Sequence, residues 1–191
     1  MPEKKRCAWC ESSPKMEHYH DEFWGTPLHD DQELFAKLVL DMNQAGLSWN
    51  TILNKQEHFY EAFDQFDIKK VASYDQKKVD ELIQNAGIIR NKLKINAAIQ
   101  NAKIVCDIIK EFGTFDAYIW SFTDGKVVQH HIKNESEVPA SDALSDRMSK
   151  AMKKRGFKFV GTTIIYAYLQ AIGVINDHVE TCFRYSELKG L

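Results

Sequence analysis

Leu40-Asp41-Met42-Asn43-Gln44-Ala45-Gly46-Leu47-Ser48-Trp49 closes one helix and opens another. Upstream, Leu34, Phe35, Leu38 and Val39 recur at helical spacing behind Asp30 or Asp31, either of which can cap, which predicts a helix through about Met42. Downstream, Ser48 can cap a second helix to about Phe63, carrying Ile52, Leu53, Phe59 and Tyr60. The corner between them is polar and contains glycine. One carboxylate, two amides and an indole within nine positions suit a pocket that stacks on a flat ring and hydrogen-bonds its edge. A heterocyclic base is such a ring. Taken alone, the same residues better suit a plain helix C-terminus with a glycine turn and a core Trp.

Outward from this corner the chain continues in helical segments. Asp67 opens a short one through Val71 and Ala72, and Asp75 another through Val79, Leu82 and Ile83 that ends before Gly87. A long helix runs from about Asn91 to Phe112 and stops at Gly113, and a short one spans Phe115 to Phe122. Residues 123–140 read as a loop with room for one short strand at Val127-Val128. Ser141 or Asp142 caps a helix to Lys154, Thr162 or Gly161 starts one to Ile172, and a final short helix is expected to hold His178 and Cys182. Residues 1–29 lack periodicity and read as irregular, so another agent must fasten them. With no sustained strand alternation, the expected fold is all-α, in one domain over 1–191 with room for two interleaved helical lobes.

Composition narrows the class. A chain of 191 residues with 44% hydrophobic and 27% charged residues can bury a core, and a net charge of −2 argues against a histone-like binder. Nothing approaches the roughly 18 apolar residues of a membrane span, and Met1-Pro2-Glu3-Lys4-Lys5-Arg6 is no apolar signal region, so a cytoplasmic protein is expected. Charge is unevenly spread. Acids crowd the first forty residues, whereas 87–105 holds Arg90, Lys92, Lys94 and Lys103, and 147–158 holds six basic residues, neither with an acid. Such runs are commonly solvated faces. Here both adjoin short glycine-containing turns, and turn N–H groups followed by a helix start suit a phosphate.

His178 and Cys182, four apart, would face one way on a helix and can share a metal. Cys7 and His20 complete a tetrahedral set of two thiolates and two imidazoles, with Cys10 and His18 as substitutes for either. Four protein ligands leave no open position for water, so zinc here is structural and would join about 1–29 to about 174–191. That closed set also speaks against an unrelated zinc hydrolase.

Arg6-Cys7-Ala8-Trp9, Tyr19-His20-Asp21, Trp24-Gly25-Thr26-Pro27, Gln44-Ala45-Gly46-Leu47-Ser48-Trp49, Ala86-Gly87-Ile88-Ile89-Arg90, Lys154-Arg155-Gly156-Phe157-Lys158-Phe159-Val160-Gly161-Thr162-Thr163 and Asn176-Asp177-His178 together resemble the bacterial DNA-3-methyladenine glycosylase I family. The resemblance spans about Cys7 to Cys182. It implies a helix-hairpin-helix fold, zinc on Cys7, His20, His178 and Cys182, and double-stranded DNA with alkylated bases as the partner of a monomeric enzyme. It further implies a flipped 3-methyladenine contacted by Asp41, stacked on Trp49 and walled by Trp9 and Tyr19. Gln44, Gly46 and Leu47 would meet DNA at the gap, and Arg155, Lys158, Gly161 and Thr162 would grip its backbone. The product would be an abasic site, since no Lys suggests a Schiff base. One departure is central: Asp41-Met42 stands where the family places Glu, followed by Gly in many members. A weakly catalytic or non-catalytic binder of alkylation lesions is therefore the alternative.

Overall fold

A computed structural model describes residues 4–189. Helices begin where short polar side chains can accept the first free N–H groups. Ser13 starts α1 (Pro14–Glu22), Asp30 starts α2 (Asp31–Gln44), and Ser48 starts α3 (Trp49–Ala62). Asp67, Asp75 and Asn91 cap α4 (Ile68–Ala72), α5 (Gln76–Gln84) and α6 (Lys92–Phe112). Thr114 caps α7 (Phe115–Trp120), and Asp142 with Ser145 forms a reciprocal capping box at α8 (Ala143–Lys154). α9 (Thr162–Ala171) and α10 (Phe183–Leu188) start on Gly161 and Cys182 without a side-chain cap.

α2 is the axis of the molecule. It is buried without interruption from Leu34 to Asn43, which a helix achieves only when enclosed on all sides. Its enclosure comes from α3, α6, α7 and α9. Lys37, Asp41 and Asn43 are therefore drawn into the interior with the apolar residues. One continuous apolar core extends from α2 through α9. The described helices include none long and apolar enough to cross a membrane.

Three departures from the sequence reading have physical reasons. The N-terminal segment is not irregular: Ala8–Ser12 is a 3-10 helix and α1 follows, held by burial of Met16, Tyr19 and His20 rather than by a long apolar stripe. The short strand for which the sequence left room at Val127-Val128 is present one residue on, and it has a partner that the sequence reading did not contain. β1 (Val128–Gln129) pairs in parallel with β2 (Ile175–Asn176), and Ile132 bridges to Val179, a pairing too short to leave an alternating pattern. His178 lies between β2 and the Val179 bridge, outside any helix, so His178 and Cys182 do not share a helix; Cys182 is the residue before α10.

The N-terminal segment docks by backbone. Gly25 N–H donates to Gln170 O at 3.1 Å and Leu28 N–H to Ile172 O at 3.0 Å. Gly173 lies at φ +72°, and a Cβ there would sit 2.3 Å from the carbonyl carbon of Thr26. Only glycine allows that approach.

Candidate functional site

The end of α2 opens onto a cavity of about 330 Å³. Trp9, Tyr19, Trp24 and Trp49 supply its aromatic walls, and Asp41, Gln44, Glu135, Gln170 and Asp177 its polar groups. The rings brace one another: Tyr19 lies 5.1 Å from Trp49, 6.4 Å from Trp9, and Trp9 5.1 Å from Trp24 between centroids. Asp41 and Trp49 each bring an unpartnered buried polar atom, Asp41 Oδ2 and Trp49 Nε1, among the described residues. Leaving such atoms unpaired costs about 1–3 kcal/mol each, and a ligand with a complementary edge recovers it. Burial pushes the Asp41 carboxyl up to about 7, against the opposing pull of Lys37 one turn earlier.

Asp177 is the opposite case. Its carboxylate accepts from His130 Nδ1 at 2.7 Å, Tyr166 Oη at 2.6 Å and Gln170 Nε2 at 2.7 Å. Burial would raise this carboxyl, but the three donors bring it below its ordinary value. Trp24, Glu135, Gln170 and His130 were not legible as site residues in the sequence. Glu135 opens a three-residue 3-10 helix (Glu135–Glu137), where its carboxylate accepts the Trp9 N–H at 3.2 Å, and no periodic signal marks it.

Beside the cavity, ligand atoms of Cys7, His20, His178 and Cys182 lie within 4.8 Å of one another, all buried. Cys182 Sγ is 3.4 Å from His20 Nε2 and 3.6 Å from His178 Nδ1, and Cys7 Sγ is 3.6 Å from His178 Nδ1. The outward ring nitrogens are also engaged. His20 Nδ1 meets Asp21 at 2.8 Å, itself held by Arg6 at 2.8 Å, and His178 Nε2 meets the Trp24 carbonyl at 3.1 Å. Such partners orient metal-ligating imidazoles. Contact with Cys7 pulls the Cys182 thiol down, while the same contact and burial push Cys7 up. Cys10 turns away, donating to Cys7 O at 3.1 Å, and His18 is exposed. Donor types, spacing and outer partners all fit a tetrahedral metal ion.

The α2–α3 corner projects outward. Gly46, at φ +81° in open space, lets the chain turn, and Leu47 is 41% exposed at the tip. Lys94 Nζ donates to Asn43 O and Ala45 O, both at 2.8 Å, so this basic residue seals the end of α2 rather than facing solvent. The α8–α9 turn is pinned by Phe157 and Val160, both buried, and by Asn101, whose amide accepts from Lys158 N–H at 2.8 Å and donates to Lys158 O at 3.0 Å. The Lys158 side chain is left exposed. Gly161 leaves the first N–H groups of α9 without a capping side chain, and Thr162 Oγ1 turns back to donate to Asp146 at 2.6 Å. Arg155 makes a two-bond pair with Glu111 at 2.7 and 2.8 Å over the ring of Phe112.

A family model described as methyladenine glycosylase matches residues 9–185. DNA-3-methyladenine glycosylase 1 of Escherichia coli strain K12 is 44% identical over 181 residues, covering 95% of this chain and 97% of that protein. DNA-3-methyladenine glycosylase of Haemophilus influenzae Rd is 41% identical over 177 residues, covering 93% and 96%. A solved structure of 3-methyladenine DNA glycosylase I from Staphylococcus aureus, described for its 3-methyladenine recognition, superposes with a TM-score of 0.90 at 34% identity, covering 93% of this chain and 95% of that one.

Proposed function

The chain belongs to the methyladenine glycosylase family, and on that premise we propose that it is a DNA-3-methyladenine glycosylase that flips the alkylated base into the aromatic cavity and releases it by hydrolysis. The observation that carries this reading is the pair of unpartnered buried atoms, Asp41 Oδ2 and Trp49 Nε1, in a cavity walled by four aromatic rings. A base methylated at N3 is cationic while attached to deoxyribose, which weakens its bond to the sugar. The carboxylate accepts an N–H of the base edge and favours the positive ring, while the aromatic faces attract the cation. The glycosidic bond then breaks with its electrons passing to the ring. Water adds oxygen to C1′ and loses a proton, leaving an abasic site.

Leu47 is suited to fill the gap left by the flipped base, with Gln44 and Gly46 beside it. The uncapped start of α9 at Gly161 and Thr162, with Lys158, suits a backbone phosphate in the manner of a helix-hairpin-helix, and Gly87 to Lys92 a second. Arg155 adds positive charge nearby, though Glu111 already engages it. Cys7, His20, His178 and Cys182 would hold zinc, whose contribution is to stability, because a closed set of four protein ligands leaves no position for a reacting water. We take the whole chain as one such domain, acting as a cytoplasmic monomer on duplex DNA. The test is release of free 3-methyladenine from methylated duplex DNA by the metal-loaded protein. Tight lesion binding without release would overturn catalysis in favour of a lesion-binding role.

A further inference from the structure

Lys37 is a lysine in a place that demands a reason. It is 5% exposed, on the most enclosed helix of the molecule, four residues before Asp41 and so on the same face one turn away. Its ammonium lies 4.8 Å from the centroid of Tyr19, a cavity wall, and 5.7 Å from that of Phe23. A buried lysine is seldom kept for packing alone, since an apolar side chain would fill the same space without the desolvation penalty.

Resting on the glycosylase reading, we propose that Lys37 is a positioning residue for base excision: it favours the ionised form of the Asp41 carboxylate and braces the Tyr19 wall, so that a charged pocket is available to the base near neutral pH. The need follows from geometry. Asp41 is buried with Oδ2 unpartnered, and a carboxyl so placed binds a proton unless a cation is close. A protonated Asp41 could not balance a cationic base. The other groups near it do not substitute: Tyr19 and Tyr168 are buried phenols that stay neutral, and Glu135 and Asp177 across the cavity are acids. Glu33, also on α2, acts on Lys37, and Lys94 is committed to the carbonyls at the end of the helix. Burial pulls the Lys37 ammonium below its ordinary value, and Asp41 and Glu33 offset part of that, the reciprocal of its effect on Asp41.

The test is carbon-detected NMR titration of the Asp41 carboxyl in the metal-loaded protein without DNA, for wild type, Lys37→Met and Lys37→Arg. The expected result is a midpoint at least one unit higher in Lys37→Met and within a few tenths of wild type in Lys37→Arg. Excision in Lys37→Met should then fall at least about fivefold at pH 7, as the ionised fraction drops from about one half to about one eleventh, and recover towards pH 9. A midpoint unmoved in Lys37→Met overturns the proposal, whatever happens to activity. If Lys37→Met fails to fold, Lys37→Gln carries the same comparison. An unmoved excision profile beside a shifted midpoint would separate Asp41 ionisation from the reaction and also overturn it. Absence of excision in wild type would count against the glycosylase reading alone, because the titration needs no activity.

Discussion

Asp41 carries opposite demands for stability and function. Its folded value of about 7 lies above the ordinary 3.8, so between those limits the folded chain holds a proton that the unfolded chain has lost. Its contribution to stability is full below about pH 4 and disappears as pH rises through 7. Asp41→Asn removes that dependence, and urea unfolding at pH 8 should find the variant more stable than wild type by about 1–3 kcal/mol, with little difference near pH 4. Excision should fall at least tenfold in the same variant. Asp41→Glu should keep or raise it, since the extra methylene carries the carboxylate about 1.3 Å further into the pocket and a displacement of that size changes rates up to roughly a hundredfold. Activity in Asp41→Asn equal to wild type would remove the carboxylate from the reaction.

Among the turns, the α8–α9 connection is over-determined. Gly156 at φ +95° and Phe159 at φ +55° both hold left-handed backbone, which a non-glycine residue tolerates only when surroundings impose it. Asn101 imposes it by taking both backbone groups of Lys158. Asn101→Ala should therefore cost about 1–3 kcal/mol and weaken binding to any duplex, read by thermal unfolding and by anisotropy with undamaged DNA. Lys158→Ala should weaken lesion-bearing and lesion-free duplexes alike and lower the salt slope by about one. Arg155→Ala should do less, because Glu111 already takes its guanidinium. Loss of lesion preference alone in Lys158→Ala would contradict a phosphate-gripping role for the turn. The sequence marked this turn by its glycines and lysines. It could not distinguish Lys158 from Arg155, because the partner of Arg155 lies 44 positions away.

The Cys and His cluster brings the two ends of the chain together beside the aromatic cavity. Trp9, Tyr19 and Trp24 each lie within two residues of a clustered side chain or bond to one, so fastening the cluster fastens three cavity walls. Elemental analysis of natively purified protein should find about one zinc per chain, and Cys182→Ala or chelation should lower Tm by several degrees. Residual excision at permissive temperature is expected, since four protein ligands would leave such a metal no position for a reacting water. A metal-free native preparation with unchanged Tm would remove zinc from the account.

Helices α2 to α9 were legible because caps and apolar spacing are local: Asp30, Ser48, Asp75, Asn91 and Asp142 stand beside the residues whose N–H groups they satisfy. The family-linked motifs were legible for the same reason, being contiguous. What required the folded chain was everything set by distant partners. The β1–β2 pairing puts His178 off a helix, enclosure of α2 buries Lys37 one turn from Asp41, and the segment 130–138, with its short 3-10 helix, carries Glu135 to Trp9 across 126 positions. Burial and electrostatic coupling depend on separation in space, and a one-dimensional pattern records only separation along the chain.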